Sequence, residues 1–174
     1  MTGVPGAAGP AWTLDDLDPP SCAAALAPLF ESAPRFLARL VAARPFGGAA
    51  AMFDRARAIA HGMPADEQVE LIDAHPRLGA PPASVSSFSH AEQGYDRDAA
   101  ATERARVSDE LDRLNGAYEA TFGFRYCVFV AGRPREALLP GMQAALSNDR
   151  DAEIARAIDA VIDIAADRYA GGRA

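Results

Sequence analysis

The chain has 174 residues, 49% hydrophobic and 24% charged, which fits one globular domain of ordinary size and excludes a disordered chain, a repeat array or a disulfide miniprotein. Acidic residues outnumber basic ones 24 to 17, and a net charge of −7 provides no electrostatic footprint for nucleic acid. All 17 basic residues are arginine, so Schiff-base lysine chemistry and phosphate-loop nucleotide hydrolysis are excluded as well.

Cys22 and Cys127 match no metal or redox spacing and are expected to be reduced, packed thiols. No apolar run approaches the roughly 20 residues that span a bilayer, and the start MTGVPGAAGP has neither a basic n-region nor an h-region, so the expected location is the cytoplasm, away from membranes.

In chain order, residues 1–11 carry no periodicity and read as a loose tail before a single domain over 12–170, with 171–174 as a second short tail. From Leu26 the pattern is helical nearly throughout. Ser32 is placed as the N-cap of a helix with Pro34 in its first turn, and Phe36, Leu37, Leu40 and Val41 recur until Arg44-Pro45 stops it. A second helix is expected over Ala49 to Ala60, and a third from Ala65 to Ala74, ending at His75-Pro76. Residues 79–88, GAPPASVSSF, read as a long loop. Ser89 reopens a long helix that runs through Leu111, Leu114 and Tyr118 to a C-terminal Gly123. RYCVFV is too short and solitary to found a sheet and is read as a buried extended or short helical segment. Arg135 to Leu146 and a last helix from Asn148 or Asp149, with the stripe Ile154, Ile158, Val161, Ile162, Ala165 and Tyr169, complete an all-α class.

Three histidines are available for acid–base work. His75 precedes proline, which disfavours the α region, so it should end its helix and project at a helix–loop junction; capping the helix dipole is the competing use. His61, followed by Gly62, invites the capping reading, and His90 lies in a first turn facing solvent. Ser89-x-x-Glu92 fits a capping box, yet His75 and Glu92 flank one loop, so two helix ends could bring an imidazole and a carboxylate together. No HExxH, His pair at helical spacing or cysteine cluster suggests a metal.

A set of short motifs follows in order: Glu31-Ser-x-Pro34, Arg44-Pro45-Phe46, His75-Pro76-Arg77-Leu78-Gly79, Ser89-x-x-Glu92-Gln93, Leu114-Asn115-x-x-Tyr118, Phe122-Gly123-Phe124, Gly132-Arg133, Asn148-Asp149-x-x-x-Glu153 and Arg168. Spanning residues 31 to 168, this order resembles the OHCU decarboxylases, which convert 2-oxo-4-hydroxy-4-carboxy-5-ureidoimidazoline (OHCU) to (S)-allantoin and CO2 in urate catabolism. The resemblance implies a cofactor-free all-α enzyme, a homodimer linked functionally to urate oxidase and hydroxyisourate hydrolase. It also implies His75, Glu92 and Arg168 as catalytic residues, with Pro76, Ser89, Gln93 and the segment Phe124, Arg125, Tyr126, Cys127 and Val128 binding substrate.

The chemistry suits these residue types. Loss of CO2 leaves a carbanion beside the substrate's own carbonyl and imine groups. An arginine can fix an anionic or urea-like group, N–H donors can face the developing charge, and one acid on one face gives one enantiomer. Arg168 follows the last apolar stripe beside its polar edge, where an arginine can hold substrate or merely lay its stem over apolar surface. Many relatives carry Phe-Pro-Phe where this chain has Phe124-Arg125-Tyr126, and an Arg-Leu pair where it has Ala145-Leu146; the loop before Ser89 is short, as in the bacterial branch. Arg125 could tune the site toward another carboxylated ureido compound. A helical interaction domain that has lost the activity would show a damaged motif, and a metal-dependent amidohydrolase acting on allantoin would need a metal cluster.

Overall fold

The computed structural model describes residues 14–80 and 101–171, and the expectations for the first tail, residues 81–88, Ser89, His90, Glu92, Gln93 and the opening of the long helix lie outside them. Among the described residues the structure is helical with no β-strand. In chain order come α1 (Pro19–Leu26), a 3-10 turn (Ala27–Phe30), α2 (Pro34–Ala42), α3 (Ala49–Gly62), α4 (Ala65–Asp73), α5 (Ala101–Phe122), a second 3-10 turn (Arg135–Leu138), α6 (Leu139–Ala145) and α7 (Arg150–Ala170).

The last helix organises the others. Asp149 caps α7 by accepting from the Ala152 N–H at 2.9 Å, and acidic Asp151 with basic Arg168 complement the helix dipole at its two ends. The stripe read from sequence is buried: Ile154, Ile158, Val161, Ile162 and Ala165 face the core. Each large aliphatic side chain taken out of water contributes about 1.5–3 kcal/mol. α3, α4 and the first 3-10 turn all pack against α7, while α2 bridges α1, α3 and α4. The end of α4, where His75 stands, is therefore brought against one C-terminal helix.

Two local expectations change. The helix Pro19–Leu26 had no sequence expectation, because its alanine-rich face carries only Cys22 and Leu26 as buried side chains. Its start is nevertheless specified: Asp18 accepts from the Ser21 N–H at 3.0 Å and from the Ser21 hydroxyl at 2.7 Å, with prolines in the first two positions. Ser32 is not the N-cap of α2. Ala33 occupies that position, and Glu31 and Ser32 both have left-handed backbone, φ 48° and 62°. Gly123 terminates α5 as expected, with φ 78° and its N–H on Glu119 O at 2.9 Å.

Residues 124–130 form neither a helix nor part of a sheet, and Phe124, Tyr126, Cys127 and Val130 among them are buried. A partly buried segment without regular structure must find other partners for its carbonyls. Arginines supply them. Arg156 donates to Cys127 O at 2.9 Å, Arg133 to Phe129 O at 2.7 Å and to Val130 O at 3.0 Å, and Arg150 to the preceding Phe122 O at 2.9 Å. Cys22 and Cys127 are both buried, and neither is in a disulfide.

Candidate active site

His75 stands just past the end of α4. Its N–H bonds back to Ile72 O at 3.1 Å, and Pro76 prevents another turn. The ring is turned inward, only 4% exposed. Nδ1 lies 3.4 Å from Leu71 O, which places the proton of the neutral ring on Nδ1 and leaves a lone pair on Nε2. Nε2 is buried and has no hydrogen-bond partner among the described residues, an expensive state for a polar atom and one expected where a ligand completes the site. Burial and then the nearby positive charge of Arg168 push the imidazole down to about 4, against the opposing pull of Glu31 and Leu71 O. At neutral pH His75 is therefore an uncharged base rather than a ready acid.

Arg168 is fully buried in the last turn of α7, which corrects the reading of a stem laid along the surface. Its Nη1 donates to Pro28 O at 3.0 Å and Leu29 O at 3.2 Å, and its Nη2 to Glu31 Oε1 at 2.8 Å. At least three of its five N–H donors are thus committed to the protein. The ion pair with Glu31 compensates a charge that would otherwise be prohibitive to bury. Histidine, arginine and glutamate, from three separated parts of the chain, form one electrostatic group. Glu31 belonged to a motif but was not singled out as a site residue. Its partner lies 137 positions away, which no local pattern reveals.

Arg125 is exposed, yet its hydrogen bonds point back into the protein: its N–H donates to Asp73 Oδ1 at 2.8 Å, and its Nη1 to Asp73 O at 2.8 Å and His75 O at 3.2 Å. It therefore ties the segment after α5 to the His75 turn. Phe124, Tyr126 and Cys127 are buried and Val128 is half-buried. Tyr118 packs edge-on against Phe124 and Tyr126 at 5.6 and 5.1 Å between ring centroids, and Arg156 lies 4.7 Å over the Tyr126 ring.

Beneath this segment sits Glu153, fully buried. It accepts from Tyr118 Oη at 2.6 Å, Asn148 Nδ2 at 2.7 Å and Arg156 Nη2 at 2.8 Å. Burial alone would raise its carboxyl, but the bonds from Arg156, Tyr118 and Asn148 outweigh it and hold the group ionised. Asn115, also fully buried, donates to Leu78 O at 2.8 Å and fixes the chain after His75, as does the pair Arg77–Glu119 at 2.7 Å. The motif residues thus divide into a site around His75 and a frame that holds its walls. His61 lies in the last turn of α3, and its Nε2 meets Asp159 Oδ1 at 2.9 Å, away from this group. Among the described residues no group of three or more His, Cys, Asp or Glu side chains is placed to hold a metal, and no helix is long and apolar enough to cross a membrane.

Comparison with known proteins agrees with the motif order. The family model described as OHCU decarboxylase matches residues 15–170. The uric acid degradation bifunctional protein PucL of Bacillus subtilis is 28% identical over 91% of this chain, and the uric acid degradation bifunctional protein of Bacillus sp. TB-90 is 25% identical over 79% of it. The chain spans only 32% and 27% of the length of those two relatives. The 2-oxo-4-hydroxy-4-carboxy-5-ureidoimidazoline decarboxylase of Haloferax volcanii is 26% identical, over 88% of this chain and 90% of its own. A crystal structure of (S)-allantoin synthase superposes with TM-score 0.67 at 19% identity, over 92% of this chain and 52% of that one. A crystal structure of OHCU decarboxylase in the presence of (S)-allantoin gives 0.65 at 20% identity, over 81% and 92%, so both share the fold. With its helical architecture, its motif order and a family match over nearly its whole length, the chain belongs to the OHCU decarboxylase family.

Proposed function

We propose that this chain catalyses decarboxylation of OHCU to (S)-allantoin and CO2. The observation that carries the reading is the His75 ring, neutral and buried, whose Nε2 has no hydrogen-bond partner among the described residues and lies near the buried charge of Arg168. Decarboxylation replaces a carboxylate by a proton: the C–CO2 bond breaks, its electron pair spreads into the ring's carbonyl and imine groups, and a proton then adds to carbon. One proton therefore enters from water per turnover. His75 Nε2 is the basic atom that takes up a proton within the site and delivers it to one face of the delocalised anion. The fixed charge of Arg168 favours the anionic substrate and the anion formed when CO2 leaves. Glu92, with the substrate hydroxyl and ring N–H groups as its partners, shares the catalytic work. Ser89, Gln93, Pro76 and the segment Phe124, Arg125, Tyr126, Cys127 and Val128 hold the substrate. No step calls for a metal or organic cofactor, since the substrate is its own electron sink. The working unit in this reading is a cytoplasmic homodimer, fed by urate oxidase and hydroxyisourate hydrolase.

The test is a chiral assay. OHCU is generated enzymatically and mixed with the protein, and the circular dichroism of the allantoin is followed. A fast signal of the S enantiomer is the expected outcome; unaccelerated loss of OHCU with racemic product would refute the reading. Full activity after incubation with a chelator separates this decarboxylase from a metal-dependent amidohydrolase.

A further inference from the structure

The carboxylate of Glu31 sits where the chain is under backbone strain. Glu31 and Ser32 both lie in the left-handed region, which non-glycine residues occupy only at an energetic cost and which is retained where surrounding structure demands it. The turn is held by Ser32 N–H on Ala27 O at 2.9 Å and Ala33 N–H on Phe30 O at 3.2 Å. Arg168 completes it, bonding the Pro28 and Leu29 carbonyls of the 3-10 turn through Nη1 and the Glu31 carboxylate through Nη2. A strut needs only the two carbonyl bonds to pin α7 to this turn. The ion pair adds a second effect, because the same two charges act on His75 in opposite directions.

We propose that Glu31 is a positioning residue of this site: its carboxylate fixes the Arg168 guanidinium and offsets that cation's charge at His75. The inference rests on the decarboxylase reading above. Among the described residues, the charged and polar groups that face His75 are Arg168 from α7, Glu31 from the turn after the first 3-10 segment and Leu71 O from α4, while Arg125 holds the His75 carbonyl from the segment after α5. If Glu31 lost its charge, the positive charge of Arg168 would weigh more heavily on His75. His75 would resist taking up a proton during turnover, and the site would attract anions more strongly.

Glu31→Gln tests this directly, since it removes the charge but keeps an acceptor oxygen for Arg168. Two measurements are combined: steady-state kinetics on OHCU, and calorimetric titration with allantoate, an open-chain ureido carboxylate, and allantoin, its neutral ring counterpart. The expected result is a kcat at least about tenfold lower, a KM that falls, and an allantoate-to-allantoin affinity ratio raised about tenfold, as the removal of one compensating charge at low effective dielectric implies. A strut alone would leave the ratio and KM unchanged or weaken both ligands together, and that result overturns the proposal. Should Glu31→Gln not fold, Glu31→Asp, which keeps the charge, must retain the wild-type ratio; a shifted ratio there also overturns it. Wild-type protein that binds neither ligand and leaves OHCU untouched would overturn the decarboxylase reading itself.

Discussion

His75 carries a stability signature that is independent of catalysis. Its folded value of about 4 lies below the 6.5 of an unperturbed imidazole. Between these values the unfolded chain binds a proton that the folded chain refuses. The contribution of a neutral His75 is thus complete above pH 6.5 and is lost as pH falls toward 4. About 2 kcal/mol should disappear between pH 7 and pH 5. Urea melts at the two pH values, on wild type and on His75→Gln, isolate it: the wild type should lose about that much more than the variant, and equal losses would show the ring to be solvated. Arg168→Lys makes a second residue-scale test. Lysine cannot reproduce the Nη1 bonds to Pro28 O and Leu29 O together with the Nη2 bond to Glu31, and its head would be left imperfectly paired in a site with no exposed surface. A loss of about 2–4 kcal/mol in urea melts is expected, whereas the surface position suggested by sequence spacing alone would give under about 0.5 kcal/mol. Proximity to a helix's polar edge does not tell whether a neighbouring segment closes over it, which is why the burial of Arg168 was not legible. The placement of His75 was, because proline dictates a helix end wherever the rest of the chain goes.

At the scale of elements, the segment 124–130 depends on arginines and on Glu153 rather than on a sheet. Glu153→Ala would leave Arg156 without its carboxylate and strip Tyr118 and Asn148 of an acceptor. It should cost about 3–5 kcal/mol, or prevent folding, while Tyr118→Phe, which deletes the short bond to Glu153 and the long one from Arg156 but leaves the ion pair, should cost about 1.5–3 kcal/mol. Chemical denaturation of the pair measures the difference; a near-neutral Glu153→Ala would mean that the network does not support the segment. Gly123→Ala isolates a purely conformational term. A Cβ there meets nothing within 4 Å, and φ is 78°, so the expected loss is about 1–2 kcal/mol from the left-handed backbone alone. Most helices were legible through apolar spacing and caps, such as the stripe of α7 and the glycine ending α5. The short helix Pro19–Leu26 was not, since alanine gives little periodicity, and the left-handed pair Glu31-Ser32 displaced the cap expected at Ser32 because Arg168 and the Glu31 carboxylate stabilise that turn from outside.

For the whole molecule, one C-terminal helix is the meeting point of groups from distant parts of the sequence: Glu31, His75 and Arg168 gather at its end, and Glu153, at its start, bonds Tyr118, Asn148 and Arg156. The motif order made the family legible, because it samples both the site and its frame. The electrostatic linkage inside the site was not, since it depends on burial and on a pairing across 137 positions. The most direct test of the central claim is the chiral assay run on wild type beside His75→Gln under conditions where urea melts show both to be folded. The account predicts rapid formation of (S)-allantoin by the wild type and a kcat lower by roughly 10²–10⁴-fold in the variant, the range for loss of a positioned proton-transfer group. Equal rates and equal enantiomeric purity from the two proteins would contradict it.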